Sequence, residues 1–402
     1  MSPKRRAWLV MLAAYLAGIA VALNQFKVPP AMQVLIERLN VDMATGGWLM
    51  SSFAVAGVVL GIPAALVLGK LGPRAAGLIA LGCTILGSAI GALAGDSNVL
   101  LIGRGVEGIG LGLIAVVAPA VISMWFPPGA RGTPMGIWAS WVPVGSFLML
   151  NLAGPLLGSF DWQGIWWFGA LFALVAFAVY AAVVRAPEVA PGRPAESGAQ
   201  LGKMLLNRSS WILALVFGTF NFAFLAYSTW APSYFSQGLG LDPATASFNA
   251  SLASLAVIPS TILAGWLLDR IRNRQLTLTL ALLISGVLLI WSFQLGSASV
   301  VVPYMLVLGF VAGFVPTATF TLAPETAPSP QLAGLALGIV SVGQNLGMFF
   351  GPPLVGAIVA NGQWEAGAIP LFSSIAVGVA ASLLLQGRRA TTRPALTEMR
   401  SV

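Results

Sequence analysis

Twelve apolar runs, each long enough to cross a bilayer as a helix, succeed one another along this 402-residue chain. A hydrocarbon core of about 30 Å takes roughly 20 apolar residues per helix. The runs lie near 8–28, 45–68, 75–95, 99–124, 134–157, 165–184, 210–230, 246–267, 276–295, 302–323, 334–359 and 368–386. In lipid every backbone N–H and C=O must be satisfied within its own segment, so runs of this length fold as helices. Only 8% of the residues are charged and 58% are hydrophobic, against about 25% charged in a soluble domain. The fold class is therefore all-α integral membrane, with twelve transmembrane helices in two pseudo-symmetric six-helix bundles. The 46 glycines and 26 prolines fit, since both are commoner in membrane helices than in soluble ones.

Several chemistries are excluded by what the chain lacks. Its one cysteine, Cys83, permits no internal disulfide and no cysteine metal cluster. It has no histidine, the usual metal ligand and proton carrier near neutral pH. No metal site, cofactor, nucleophile–base pair or nucleotide-binding loop is recognisable, so neither enzyme activity nor ATP-driven transport is expected. The basic start "MSPKRRAWLVML" runs into the apolar stretch without a small-residue cleavage site, and reads as a retained first span.

The polar residues set the topology. The longest polar stretch, rich in Pro, Gly and Ala, divides the chain into a bundle at 1–184, a linker at 185–209, a bundle at 210–390 and a tail at 391–402. With the N-terminus in the cytoplasm, 17 of the 20 Lys and Arg residues fall on the cytoplasmic side, a strong positive-inside pattern. Arg38 is alone on the outer side, and Lys27 and Arg104 lie at or within spans. The net charge of +8 is thus dispersed over short loops, with no groove for nucleic acid. Both termini are expected to be cytoplasmic, in a plasma or inner membrane.

The two halves echo each other. "VDMATGGWLMSS" at 41–52 matches "LDPATASFNASL" at 241–252, and Lys70 and Arg74 are answered by Arg270 and Arg274. "AGPLLG" in span 5 is echoed by "FGPPLVG" in span 11. Repeated halves are a feature of transporters that rock around a central site.

These features resemble the major facilitator superfamily. "GWLLDRIRNR", with Gly265, Asp269, Arg270 and Arg274, is similar to that family's loop signature between spans 2 and 3. In the first half, "ALVLGKLGPR" keeps Lys70, Gly72 and Arg74, but Gly69 stands where the family has Asp. "RGVEGIGLG", with Arg104 and Gly108, resembles the family's span-4 motif, with Glu107 in place of a commoner Gln. The stretch "LNQFKVPPAM" is similar to organic-anion carriers, which place a basic residue near the end of span 1. The cyanate and nitroimidazole carrier group has a comparable Asn-x-Arg there, at a spacing different from that of Asn24 and Lys27. The resemblance implies alternating access in a monomer.

Intramembrane ionisable residues are costly and mark function or a partner. Glu107 is the one carboxylate well inside a span, and Arg104, three residues earlier, shares its face. The pair is read either as a structural ion pair or as a proton-coupling switch. Lys27 reads either as a snorkelling lysine at the outer boundary or as the holder of a small anion, with Asn24 one turn before it and Pro29–Pro30 after. Tyr227 and Trp230 of span 7 share a face and could wall a cavity, or belong to an interfacial belt. Trp141 and Asn151 of span 5, with Gln344 and Asn345 of span 11, are cavity lining or interhelical glue. Asp269, Arg270, Arg274, Lys70 and Arg74 gate the cytoplasmic side or merely set topology. The leading expectation is a proton-coupled secondary transporter importing a small, carboxylate-like organic anion. A proton/drug antiporter and a non-transporting sensor are the alternatives.

Overall fold

A computed structural model describes residues 3–61, 63–127, 130, 132–185, 202, 205–268, 270–271, 273–328 and 332–385. The expected linker therefore lies largely outside the described residues, as do Asp269, Arg131 and the tail at 391–402.

Among the described residues, ten helical stretches are long and apolar enough to span a bilayer, and Arg274–Ile290 is a shorter apolar helix. The longest stretch, Thr133–Val183, holds two spans, because Asp161 turns the chain at φ 56°. Counted so, the twelve expected spans are all present. Span 1 comprises α1 (Pro3–Gln25) and α2 (Val28–Leu39). Span 2 is α3 (Met43–Leu60) continued by the start of α4 (Pro63–Ala92), whose remainder is span 3. The turn between spans 2 and 3 is made by Gly72 at φ 77° with Pro73 starting the next helix, a backbone only glycine adopts freely. Span 4 is α5 (Ser97–Trp125), and α6 (Gly132–Ala139) with α7 (Trp141–Val183) forms spans 5 and 6. The second half runs α8 (Arg208–Gln237), α9 (Pro243–Leu268), α10 (Arg274–Ile290), α11 (Ala298–Ala312) with α12 (Phe314–Thr326), α13 (Ala333–Val359) and α14 (Ala368–Leu383).

Helix starts follow from capping chemistry. The carboxylates of Asp42, Asp96 and Asp242 accept from the backbone N–H groups of Thr45, Val99 and Thr245. Each satisfies a donor that the first helical turn leaves free. The outer faces of the bundles expose large apolar side chains such as Leu171, Ile262 and Val287. Water would penalise those side chains, whereas lipid accepts them.

Close approach of helices does the packing, because lipid leaves little hydrophobic drive between spans. A Cβ placed on Gly87 of span 3 would stand 2.5 Å from the Gly103 carbonyl oxygen and 2.6 Å from the Glu107 nitrogen of span 4. Gly343 and Gly347 bring span 11 as close to the Ala214 and Gly218 carbonyls of span 7.

The two halves meet through spans 2 and 11, and through spans 5 and 8. Ser51 donates to the Met348 carbonyl at 3.2 Å, and Gly47 packs on the backbone of Pro352 and Pro353. Asn151 donates to Ser251 at 3.0 Å, and Ser254 to Ser146 at 3.1 Å. Span 2 also meets span 11 further along, where Gly57 lies against Asn345 and Gly61 against Val342.

Candidate functional site

Span 1 breaks at Phe26–Lys27 for a local reason. Pro29 and Pro30 begin α2, where their missing N–H groups do no harm. They do deprive the preceding turn: the Gln25 carbonyl would normally receive the N–H of residue 29, and Pro29 has none. Arg104 supplies the missing donor. Its Nη2 donates to the Gln25 carbonyl at 2.8 Å and its Nη1 to the Asn24 carbonyl at 2.7 Å. Its Nε reaches the Leu49 carbonyl of span 2 at 3.0 Å, and the guanidinium lies 4.5 Å over the Phe53 ring. The rigid fork of arginine suits several carbonyls at once.

Arg104 also donates to Glu107 Oε2 at 2.6 Å, one helical turn on, while Glu107 Oε1 accepts from Lys27 Nζ at 2.5 Å. All three side chains are fully buried. The Lys27 ammonium further donates to Ser88 Oγ at 2.8 Å and lies 4.9 Å from the Trp166 ring centroid. Ser88 donates to the Trp166 carbonyl at 2.7 Å. Asn24 donates to the Ala20 and Gly169 carbonyls. With every group charged, the cluster holds two cations and one carboxylate, a net +1 enclosed by spans 1, 2, 3, 4 and 6. Buried charges are tolerated only when paired and hydrogen-bonded, and this one is.

Lys27 does not snorkel. Its helix resumes at Val28 for 12 residues, about 18 Å, so the lysine lies well inside the span rather than at its end. The ammonium points into the N-terminal half, toward spans 3, 4 and 6. The sequence reading paired Arg104 with Glu107 and Asn24 with Lys27; the structure joins both pairs into one cluster. Ser88, Trp166 and the glycines that make room for them escaped that reading. The available signal was "LGSAIGA" in span 3, where a serine sits among small residues inside an apolar run.

The remaining candidates disperse. Tyr227 is buried against Met305, Phe293 and Tyr304 inside the C-terminal half. Trp230 donates to the Pro352 carbonyl at 2.9 Å and is fully buried, so it belongs to no interfacial belt. The two share a helix face yet serve different neighbours. Trp141 stacks on Trp138 at 5.0 Å. Asn151 bridges the halves to Ser251. Gln344 is half-buried, whereas Asn345 is buried against Gly57 of span 2, with no hydrogen-bond partner for its Oδ1 among the described residues. Among the gating candidates, Arg74 donates to the Ala181 carbonyl and Arg274 pairs with Glu325, each within its own half. Arg270 lies over Trp266 and Lys70 is exposed; Asp269 is outside the described residues. Among the described residues no group of His, Cys, Asp or Glu could hold a metal ion.

Comparison with known proteins gives a consistent picture. A family model described as Major Facilitator Superfamily matches residues 14–335. An uncharacterized MFS-type transporter, YhcA of Bacillus subtilis (strain 168), is 27% identical over 44% of this chain, which spans only 35% of that protein. The 3-(3-hydroxy-phenyl)propionate transporter of Escherichia coli (strain K12) is 26% identical over 98% of this chain and 97% of its own length. The D-galactonate transporter of Escherichia coli O6:H1 is 23% identical over 96% of each. Among solved structures, a bacterial homolog of the human lysosomal transporter Spinster, inward-facing and occupied, superposes with a TM-score of 0.76. It shares 17% identity and 96% coverage of both chains, which fixes the fold.

Proposed function

The chain belongs to the major facilitator superfamily, and on that premise we propose that it carries a small organic anion across the membrane together with a proton. The observation that supports this is the Glu107 carboxylate shared by Lys27 and Arg104 in a fully buried cluster.

A dry interior tolerates net charge poorly. Protonating Glu107 would raise the cluster from +1 to +2. A carboxylate arriving at Lys27 would return it to +1. Proton and monovalent anion therefore favour each other's binding, which is the thermodynamic content of coupling. A positive cluster disfavours the cationic compounds that a drug antiporter would take. Relatives named for carrying 3-(3-hydroxy-phenyl)propionate and D-galactonate, both carboxylates, fit the same reading.

In this scheme Glu107 takes the proton, Lys27 exchanges Glu107 for the substrate carboxylate, and Arg104 holds the span-1 break through the exchange. Asn24 orients Lys27, and Asn151, Gln344 and Asn345 line the route between the halves. The basic loops put both termini in the cytoplasm, with the protein working as a monomer.

The test is uptake of radiolabelled 3-(3-hydroxyphenyl)propionate and D-galactonate into proteoliposomes under an imposed pH gradient. Stimulation by external acid, abolished in Lys27→Met and uncoupled from pH in Glu107→Gln, is expected. Uptake of neither acid, together with thermal stabilisation by cationic drugs, would replace the reading with drug antiport.

A further inference from the structure

The Lys27 ammonium has three N–H donors and three recipients. Glu107 takes one at 2.5 Å, Ser88 Oγ another at 2.8 Å, and the Trp166 ring faces the third. Only the first recipient changes when Glu107 takes a proton. Arg104 is the other charged group in the cluster, while Ser88, Trp166 and Asn24 are uncharged.

Ser88 is built to accept. Its single hydroxyl proton goes to the Trp166 carbonyl at 2.7 Å, with Asn24 Oδ1 further away at 3.2 Å. A lone pair is thereby turned toward Lys27. Glycines clear the surroundings. A Cβ on Gly169 would stand 2.3 Å from Asn24 Oδ1 and 3.2 Å from Lys27 Nζ, and one on Gly91 would stand 2.4 Å from Trp166 Nε1. The indole face is a fitting receiver for an ammonium shielded from water.

We infer that Ser88 and the Trp166 ring form a seat that keeps the Lys27 ammonium inside the N-terminal half, and that Ser88 is the positioning residue governing its departure. The seat persists when Glu107 is neutralised, so a proton loosens Lys27 without freeing it. The anion must then draw the ammonium off the seat. In its consequence for transport the inference rests on the proposed function; its geometry does not.

The experiment uses the four lysines of the chain, Lys4, Lys27, Lys70 and Lys203. Full-length protein in detergent is treated with N-hydroxysuccinimide acetate, and acetylation of each lysine is followed by peptide mass spectrometry. Exposed Lys4 and Lys70 are the references. In the wild type Lys27 reacts slowly. In Ser88→Ala its relative rate rises roughly tenfold, as expected for a lost hydrogen bond to a charged group. Trp166→Leu raises it as well, whereas Trp166→Phe, which keeps a ring face, does not. Labelling of Cys83 on span 3 stays unchanged, which excludes general loosening. In uptake assays Ser88→Ala lowers the KM for the transported acid rather than kcat. Unchanged Lys27 rates in Ser88→Ala and Trp166→Leu overturn the seat, and a rise in Trp166→Leu alone overturns the part given to Ser88. Faster Lys27 labelling without uptake of either acid overturns the transport reading and leaves the seat standing; uptake with unchanged labelling does the reverse.

Discussion

Replacing Glu107 with Gln preserves the shape of the side chain and removes its charge. Two hydrogen-bonded ion pairs, at 2.5 Å to Lys27 and 2.6 Å to Arg104, then become contacts of a neutral amide. The enclosed charge rises from +1 to +2 with no exposed atom to relieve it. Removing one partner of a buried pair costs about 3–5 kcal/mol, because an uncompensated charge is left behind. Lys27→Met is a different perturbation. It leaves Arg104 and Glu107 as a balanced pair and fills the space with an unbranched apolar chain, so its cost is that of a donor lost to a buried acceptor, about 1–3 kcal/mol. The double variant Glu107→Gln/Lys27→Met returns the cluster to +1. Charge balance therefore predicts that Lys27→Met, the milder change on its own, rescues Glu107→Gln. The coupling energy in the double-mutant cycle should be about 2–3 kcal/mol. Thermal unfolding in detergent at pH 7, followed by intrinsic fluorescence, measures all four proteins. Glu107→Gln should melt well below the others. If it melts with the wild type, or if Lys27→Met lowers its melting temperature further, net charge does not govern the cluster and the coupling scheme loses its basis.

Three further outcomes follow from the packing. Gly87→Ala forces a methyl to within 2.6 Å of the Glu107 backbone nitrogen; overpacking of this kind costs about 1–3 kcal/mol, and the melting temperature should fall. Gly47→Ala sets a methyl 2.4 Å from the Pro353 Cα across the junction of the halves. It should disfavour closure at the face opposite the N-terminus, read as faster maleimide labelling of Ser51→Cys in a Cys83→Ser background. The Thr45 hydroxyl and then its backbone N–H hold the Asp42 carboxyl below its ordinary value of 3.8. A depressed carboxylate contributes stability above its unfolded value and loses it as pH falls through the folded one. Asp42→Asn, which keeps an acceptor but cannot titrate, should flatten the decline in melting temperature below about pH 4.

The spans were legible because each must carry its own apolar length and satisfy its own backbone. The turns at Gly72 and Asp161 fall in the gaps between the runs at 45–68 and 75–95 and at 134–157 and 165–184. The pair Arg104–Glu107 was legible too, since three residues along a helix fix a shared face. Lys27 misled for an instructive reason. A count from Trp8 ends the span at the prolines, yet Pro29 and Pro30 occupy positions where a helix can restart, and α2 carries the chain 12 residues further. Ser88 and Trp166 lie 61 and 139 residues from Lys27, on separate helices, and no spacing rule connects them. Tyr227 and Trp230 show the reverse failure: a shared face says which residues could meet, and the Pro352 carbonyl and Met305 decide where each goes.

The bond that Pro29 withholds from Gln25 has a consequence for how the chain can vary. The integrity of span 1 at its break is delegated to a side chain seventy-five positions away. Proline and arginine are therefore one functional unit written in two places. Losing Arg104 strands two carbonyls of span 1, and Pro29→Ala would restore an N–H to one of them. The two positions should drift together or not at all.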